Sequence, residues 1–180
     1  MKIFVTGVAG QLGHDVMNEL AKRGMNAVGS DLALTYSGVQ DGTAVTTMPY
    51  IPMDLTDSEQ VTARMIFEQP TAVIHCAAWT AVDAAEEEEN KSKVRSVNFV
   101  GTKNIANVCK ELDIPMMYIS TDYVFDGQGE EPWKPDCEDY KPLNVYGETK
   151  LAGEKIVRNY LDKFFIVRIA WVFGVNGNNY

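Results

Sequence analysis

Tyr146 and Lys150 form the pair of side chains in this sequence best suited to acid–base chemistry. They stand four residues apart, so on a helix both lie on one face and one turn apart. A nearby ammonium group stabilises a phenolate, and we therefore expect Lys150 to lower the pKa of Tyr146. Such a tyrosine donates a proton to a carbonyl oxygen as hydride arrives and then recovers it. The same spacing also fits the surface of an amphipathic helix.

A hydroxyl joins this pair at Ser120-Thr121-Asp122, at the end of a strand that we predict over Met116–Ser120. In an open parallel sheet, ligands bind beyond the carboxyl ends of the strands. Thr121 is therefore expected to polarise the oxygen of a reacting carbonyl group. Together with the tyrosine–lysine pair, it favours a carbonyl-reducing site over a plain helix surface.

The N-terminus carries a glycine pattern typical of a phosphate-binding turn. A predicted strand over Lys2–Thr6 runs directly into Gly7, Gly10 and Gly13 and then into a helix. Gly7 permits a tight turn, Gly10 lets backbone N–H groups approach a pyrophosphate, and Gly13 lets helix and strand pack closely. The strand–turn–helix context favours dinucleotide binding over the alternative, a glycine-rich turn without a ligand.

Two acidic residues follow the next predicted strands. Asp31 stands about 20 residues beyond the glycines, where an acid binds the adenosine ribose hydroxyls. A carboxylate there repels a 2′-phosphate, which favours NADH over NADPH; the alternative is a simple turn residue at the strand end. Asp54, followed by Leu55, stands where an adenine ring is held, or it only caps the next turn.

Short apolar strands alternate with helices along the whole chain, which predicts βαβ units and a parallel sheet covered on both faces. We therefore expect an α/β fold, a doubly wound parallel sheet of the Rossmann type. The predicted strands are Lys2–Thr6, Asn26–Ser30, Tyr50–Met53, Ala72–Cys76, Met116–Ser120 and Phe164–Ile169. The predicted helices are Gln11–Arg23, Ser58–Gln69, Lys91–Leu112 and Asn144–Leu161, with long loops of the kind that often carries function at Ala33–Met48 and Asp122–Pro142.

Composition and charge exclude several classes of protein. Of the 180 residues 46% are hydrophobic, and 16 basic residues against 25 acidic ones give a formal net charge of −9. This composition excludes a disordered or coiled-coil chain, and the acidic balance argues against a nucleic-acid binder. Because the overall field repels phosphate, a bound pyrophosphate is expected to rely on backbone dipoles.

The cysteines indicate a cytoplasmic protein. Cys76, Cys109 and Cys137 are scattered without a C-x-x-C pair, as expected of reduced thiols rather than a disulfide framework or a zinc site. The apolar run at the N-terminus is too short for a signal peptide or a membrane span.

We expect Glu86–Glu89 to form the solvated start of a helix, without a metal site, and His75 to be a packed, hydrogen-bonded residue rather than a general base.

Five segments resemble motifs of the extended short-chain dehydrogenases/reductases and, within them, of the dTDP-4-dehydrorhamnose reductase family. They are Gly7–Gly13 (GVAGQLG), Ala77–Asp83 (AAWTAVD), Ile119–Gly127 (ISTDYVFDG), Tyr146–Glu154 (YGETKLAGE) and Arg168–Gly174 (RIAWVFG). The resemblance extends from end to end of the chain. It implies NAD(P)H-dependent reduction of the C4 ketone of dTDP-4-dehydro-L-rhamnose to dTDP-L-rhamnose, and it allows a homodimer.

The same resemblance implies roles for individual residues. Thr121, Tyr146 and Lys150 are the implied catalytic residues, and Thr121, Asp122 and Trp171 the implied contacts of the nucleotide sugar, although Trp171 also fits a core aromatic. NADPH or NADH is the implied cofactor, with contacts at Gly7, Gly10, Gln11, Leu12, Gly13, Asp31, Asp54, Leu55, Ala77, Ala78, Thr80, Tyr146 and Lys150. Magnesium stays an option through Asp15, where some relatives have an acid that helps bind it; this position equally suits the first turn of a helix.

Two other functions stay open. A 4,6-dehydratase or 4-epimerase of the same superfamily shares these motifs, although dehydratases have Asp-Glu where this chain has Asp122-Tyr123. A regulatory subunit resembling the β subunit of methionine adenosyltransferase binds a dinucleotide without catalysis, and the intact threonine, tyrosine and lysine favour an enzyme over it. Enzymes of this kind continue for roughly another hundred residues, so we expect residues 1–180 to be the NAD(P)-binding domain, with the substrate domain largely absent.

Overall fold

The computed structural model describes residues 1–39, 47, 49–174 and 176, and a parallel sheet forms its centre. The six strands are β1 Lys2–Thr6, β2 Asn26–Asp31, β3 Tyr50–Pro52, β4 Ala72–His75, β5 Met116–Thr121 and β6 Phe164–Ile169. Neighbouring strands pair in parallel in the order β3-β2-β1-β4-β5-β6, which is the order of a doubly wound sheet. The predicted fold class is confirmed, and each strand ends within one residue of its predicted bounds.

Helices cover this sheet. Within the described residues they are α1 Gln11–Lys22, α2 Ser58–Glu68, α3 Val82–Ala85, α4 Glu88–Arg95, α5 Thr102–Glu111 and α6 Val145–Tyr160. The predictions for α1, α2 and α6 are confirmed to within one residue at each end. The four-residue helix α3 and a single 3-10 turn at Asp122–Val124 were not predicted, because neither is long enough to show a helical period.

The predicted helix Lys91–Leu112 is wrong in two respects. The helical segment begins earlier, at Glu88, where carboxylates suit the N-terminal end of the helix dipole. The prediction missed this turn because its residues are acidic and show no apolar periodicity. It is also interrupted, because a π-helical segment at Ser96–Gly101 joins α4 to α5. Glu88 and Glu89 are exposed in the first turn of α4, which confirms the expected solvated helix start for this part of Glu86–Glu89. Glu86 instead ends α3, and its carboxylate accepts from the backbone N–H of Val145 at 2.6 Å.

The core lies on both faces of the sheet. Side chains alternate along β1, so that Phe4 packs with side chains of α2, α5 and α6, whereas Ile3 and Val5 pack with Met17 and Leu20 of α1. Both faces of β1 are therefore buried, which explains its uninterrupted apolar sequence.

The long loops and the cysteines largely agree with expectation. Between Asp122 and Pro142 the only regular structure is the 3-10 turn. Of the predicted loop Ala33–Met48, residues 33–39 and 47 contain no helix or strand, and 40–46 and 48 lie outside the described residues. The three cysteines are free thiols. No helix in the described ranges is long and apolar enough to span a bilayer.

Candidate active site

One cleft at the carboxyl edge of the sheet gathers all of the predicted site residues. Its volume is about 910 Å³, within the range of small-molecule sites. Its walls come from the turn after β1, the ends of β2, β4 and β5, the segment after β3, and the start of α6. The predicted residues in its lining are Gly7, Gly10, Gln11, Leu12, Gly13, Asp31, Asp54, Leu55, Ala77, Ala78, Thr80, Thr121, Asp122, Tyr146, Lys150 and Trp171. They converge because parallel strands present their carboxyl ends at one edge.

Two of the turn glycines are required by their surroundings. Gly7 has a positive φ of +73°, and a Cβ on it would lie 2.6 Å from the backbone nitrogen and Cα of Ala77. A Cβ on Gly13 would lie 2.2 Å from the carbonyl oxygen of Gly7. Both distances are too short for any side chain, because the opposing atoms belong to the backbone. The turn therefore packs directly against the segment after β4.

Some polar groups beside the glycine turn have no protein partner within the part of the chain that the structure describes. Gly10 caps α1 in an extended conformation, and no side chain caps the N–H groups of the first turn. The side-chain amide of Gln11 and the hydroxyl of Ser30 are buried and make no hydrogen bond within the described residues. Buried polar groups are normally paired, so these groups mark a place where a polar ligand fits.

The two predicted acids each contact nearby backbone. Asp31 accepts from the backbone N–H of Ala9 at 2.9 Å and of Leu32 at 2.8 Å, so it braces the glycine turn as well as facing the cleft. Asp54 accepts from the backbone N–H and the hydroxyl of Thr56, at 2.8 and 2.7 Å. Asp54 thus caps the following turn, which is one of the two roles predicted for it.

Helix α6 brings Tyr146 and Lys150 to the end of β5. Its N-cap is Asn144, whose side chain accepts from the backbone N–H of Gly147 at 2.7 Å. A Cβ on Gly147 would lie 2.3 Å from the carbonyl oxygen of Tyr123, so this glycine allows the helix to contact the turn that follows Thr121. This role of Gly147 was not predicted, although the residue lies inside the motif Tyr146–Glu154.

The expected effect of Lys150 on Tyr146 is wrong for this structure. Burial raises the pKa of Tyr146, a hydrogen bond with Thr121 opposes this rise, and the charge of Lys150 is not among the causes. The Lys150 ammonium donates to the carbonyl oxygen of Ile119 at 2.7 Å and lies 4.2 Å from the ring centroid of Tyr118. Burial lowers the pKa of Lys150 to about 7. Tyr146 therefore keeps its proton at neutral pH.

Thr121 and Asp122 face the cleft beside the phenol. The Thr121 hydroxyl donates to the Asp122 carboxylate at 3.1 Å and accepts from the backbone N–H of Tyr123 at 3.2 Å. The Tyr123 ring packs edge-on against the ring of Tyr146, with centroids 5.7 Å apart. The hydroxyl, the carboxylate and the phenol thus stand together at one end of the cleft.

Two alternatives that the sequence left open are wrong. Trp171 is not a core aromatic, because 83% of its surface is exposed at the cleft rim, where its φ is +55°. Asp15 is not in the first turn of α1, which contains no acidic residue. Within residues 1–39, 47, 49–174 and 176, no three His, Cys, Asp or Glu side chains gather as metal ligands.

A buried ion pair behind the cleft was not predicted. Arg168 of β6 binds Glu154 of α6 through two hydrogen bonds of 2.9 and 2.8 Å, and Glu154 also accepts from the Ser120 hydroxyl at 2.6 Å. The guanidinium lies beside the stacked rings of Phe125 and Tyr140, at 5.1 and 5.2 Å from their centroids, and donates to the Tyr140 hydroxyl at 2.9 Å. One signal could have revealed it, namely the charged Arg168 inside an otherwise apolar strand.

His75 is packed as expected. It is buried, both ring nitrogens are hydrogen-bonded, and burial lowers its pKa to about 3, so the imidazole is neutral at pH 7. The prediction that it is no general base agrees with this environment.

Comparison with known proteins places this cleft in a family. Residues 1–180 match the family model of the RmlD substrate binding domain. A dTDP-4-dehydrorhamnose reductase of Streptomyces griseus is 36% identical over 177 residues, covering 98% of this chain and 51% of that protein. The crystal structure of a dTDP-4-dehydrorhamnose reductase of Clostridium acetobutylicum is 36% identical, with a TM-score of 0.83 over 100% of this chain and 56% of that one. The enzyme of the same name from Bacillus anthracis, in complex with NADP, is 32% identical, with a TM-score of 0.81 over 99% and 56% of the two chains.

The chain spans about half the length of these relatives. Along that half, the similarity holds in both sequence and fold. The chain is similar to dTDP-4-dehydrorhamnose reductases, and the family model matches every residue from 1 to 180. The chain therefore belongs to the RmlD substrate binding domain family.

Proposed function

We propose that this chain is the NAD(P)-binding and catalytic domain of an enzyme that reduces the C4 ketone of dTDP-4-dehydro-L-rhamnose to dTDP-L-rhamnose. The observation that carries the proposal is the meeting of Thr121, Tyr146 and Lys150 with the glycine turn in one cleft. The names of the relatives support the substrate, because two of the proteins compared above at 36% identity are dTDP-4-dehydrorhamnose reductases.

The residues of the cleft fit a nicotinamide dinucleotide. The uncapped first turn of α1 would hold the pyrophosphate through the backbone N–H groups of Gln11 and Leu12, which need no net positive charge. The N–H of Gly10 is donated to the carbonyl oxygen of Gly7, and Gly10 would serve by letting the pyrophosphate approach without meeting a side chain. Asp31 would bind the adenosine ribose, and Asp54 and Leu55 would flank the adenine. The small or polar residues Ala77, Ala78 and Thr80 would border the other half of the dinucleotide. When bound, the reduced nicotinamide supplies hydride.

The protein's own part in the reaction is to orient the ketone and to deliver a proton. Tyr146, protonated because burial raises its pKa, donates that proton to the C4 oxygen. The Thr121 hydroxyl, on turning its hydrogen from Asp122 to the same oxygen, would stabilise the negative charge that develops there. Asp122 and Trp171 would contact the sugar, and Lys150 would bind the nicotinamide ribose.

The direct test is to supply the full-length protein with dTDP-4-dehydrorhamnose and to follow the oxidation of NADH and NADPH in separate assays. We expect oxidation that depends on the sugar, with reactions lacking the sugar as the control. No oxidation of either cofactor by a folded protein would contradict the proposal. Cofactor retained through purification without net oxidation would instead indicate an epimerase or dehydratase, and co-purification with a synthetase would indicate a regulatory subunit.

Asp31 predicts the choice between the two cofactors. A carboxylate at the ribose repels a 2′-phosphate, so NADH is expected to bind at least as well as NADPH. Asp31→Asn removes the charge and keeps an oxygen that accepts from Ala9, and we expect it to shift the NADPH:NADH ratio of binding constants about tenfold towards NADPH. Titration of intrinsic fluorescence measures both constants.

Asp54→Asn is the matched control, because that carboxylate is engaged by Thr56 in its own turn. Its effect on the ratio is expected to be smaller than that of Asp31→Asn. A strong preference of the unmodified protein for NADPH would refute the electrostatic argument from Asp31.

A further inference from the structure

A chain of buried hydrogen bonds runs beneath the cleft through side chains that the proposed reaction does not use. The Thr6 hydroxyl of β1 lies 2.7 Å from Nδ1 of His75 in β4, and Nε2 of His75 lies 3.1 Å from the Thr102 hydroxyl of α5. The Thr102 hydroxyl donates to the carbonyl oxygen of Asn98 in the π-helical segment, at 2.8 Å. All four residues are almost completely buried. The chain thus joins the strand of the glycine turn to the helices behind it.

The direction of each hydrogen bond in this series follows from the last one, between Thr102 and Asn98. The Thr102 hydrogen is donated to a carbonyl, so Oγ1 of Thr102 accepts from Nε2–H of His75. The Thr102 hydroxyl also faces the hydroxyl of Tyr118, whose own hydrogen is donated to the carbonyl of Lys150. Whether the Thr102 hydrogen points to Asn98 or to Tyr118, Oγ1 of Thr102 accepts from Nε2–H of His75. A neutral imidazole has one donor, so Nδ1 of His75 accepts from the Thr6 hydroxyl.

This arrangement fixes the segment Ala77–Trp79. With its hydrogen directed to His75, the Thr6 hydroxyl is held in an orientation in which a lone pair of Oγ1 accepts from the backbone N–H of Ala77, at 3.2 Å. At the other end, the Asn98 side chain accepts from the backbone N–H of Trp79 at 2.7 Å and donates to its carbonyl at 3.2 Å. The segment is therefore held at both ends, directly against Gly7.

We propose that His75 is a positioning residue of the cofactor site: its Nε2–H tautomer, set by Thr102, orients the Thr6 hydroxyl so that Ala77–Trp79 is held against the glycine turn. The inference rests on the proposed function in that the ligand bordered by this segment is NADH or NADPH. His75 acts only through Thr6 and touches no ligand.

Loss of the Thr102 hydroxyl would reverse the order of these hydrogen bonds. Nε2–H of His75 would have no acceptor, and a buried unpaired donor is costly, so the imidazole would adopt the Nδ1–H tautomer. Nδ1–H would then donate to Thr6, so the buried Thr6 hydrogen would lose its acceptor and would have to turn away from His75, which displaces the hydroxyl from the position in which it accepts from the N–H of Ala77. The segment would lose one of its two attachments while the sheet stays intact.

The test compares Thr102→Val with Thr102→Ser and with Val108→Ala, a core truncation in the same helix that leaves the chain of hydrogen bonds untouched. Three quantities are measured: the His75 tautomer by 15N NMR, the amide hydrogen exchange of Ala77, and the dissociation constants of NADH and NADPH. We expect Thr102→Val to change the tautomer, to speed exchange at Ala77 about tenfold and to weaken binding about tenfold. Thr102→Ser, which keeps the hydroxyl, should restore all three.

Each outcome bears on a different claim. An Nδ1–H tautomer in the unmodified protein would overturn the inference even if Thr102→Val failed to fold. So would Thr102→Val with the exchange rate of Ala77 unchanged, or Val108→Ala with the same exchange and binding as Thr102→Val. If the unmodified protein bound neither NADH nor NADPH while the tautomer and exchange changed as expected, the proposed function would fail and the positioning of Ala77–Trp79 would stand.

Discussion

Tyr146→Phe is expected to lower turnover about 10²- to 10⁴-fold and to leave the binding of NADH and NADPH nearly unchanged. The substitution removes the proton donor and keeps the ring that packs edge-on against Tyr123. The change should appear in kcat more than in KM, because the proton is transferred only in the transition state. Steady-state assays of the full-length protein with dTDP-4-dehydrorhamnose measure both constants.

Tyr123→Phe serves as the matched control for this prediction. It removes a neighbouring hydroxyl from the same edge-on pair of rings, and the side chain is partly exposed at the cleft. We expect its effect on turnover to be much smaller than that of Tyr146→Phe. Undiminished turnover of Tyr146→Phe would exclude this tyrosine as the proton donor.

Arg168→Met is expected to destabilise the protein by about 3–5 kcal/mol, the usual effect of removing one partner of a buried ion pair. The Glu154 side chain is 1% exposed, so without the guanidinium its carboxylate would keep only the Ser120 hydroxyl as a partner. The substitution would also leave the rings of Phe125 and Tyr140 without the cation that lies beside them. Urea unfolding followed by circular dichroism measures the change in the free energy of unfolding.

A second substitution separates the ion pair from general packing. In the double variant Glu154→Gln/Arg168→Met neither charge remains, and we expect part of the lost stability to return, because no uncompensated charge is left buried. Lys91→Met removes a partner from the exposed pair Lys91–Glu88, where only a small loss of stability is expected because solvent screens the charges. If Arg168→Met lowered the free energy of unfolding as little as Lys91→Met does, the buried pair Arg168–Glu154 would not stabilise the fold as proposed.

The pair also connects the stability of the fold to the proposed site. Glu154 holds Ser120, the neighbour of Thr121, and Arg168 holds Phe125, which lines the cleft. The aromatic part of the Asp122–Pro142 loop is therefore attached to α6 and β6 rather than only to its own ends. This explains how a loop with a single turn of regular structure forms a defined wall of the cleft.

The strands, most of the helices and the membership of the cleft follow from local sequence. Glycines at 7, 10 and 13, a strand before them and a helix after them are requirements that a few neighbouring residues impose on one another. Once the strands are parallel and in this order, Asp31, Thr121 and Tyr146 must approach the same edge of the sheet. The sequence therefore predicts which residues meet without showing how their side chains are directed.

Only the tertiary structure decides those directions. The ammonium of Lys150 turns to the carbonyl of Ile119, and Tyr146 gains a raised pKa from burial, whereas the spacing of the two residues predicted the opposite shift. Partners that are distant in the sequence likewise pair Glu154 with Arg168 and direct the hydrogens around His75. The conformation that a backbone segment requires depends on a few neighbouring residues. The burial of a side chain, its pKa and the direction of its hydrogen bonds depend instead on atoms that the chain brings together only when it folds.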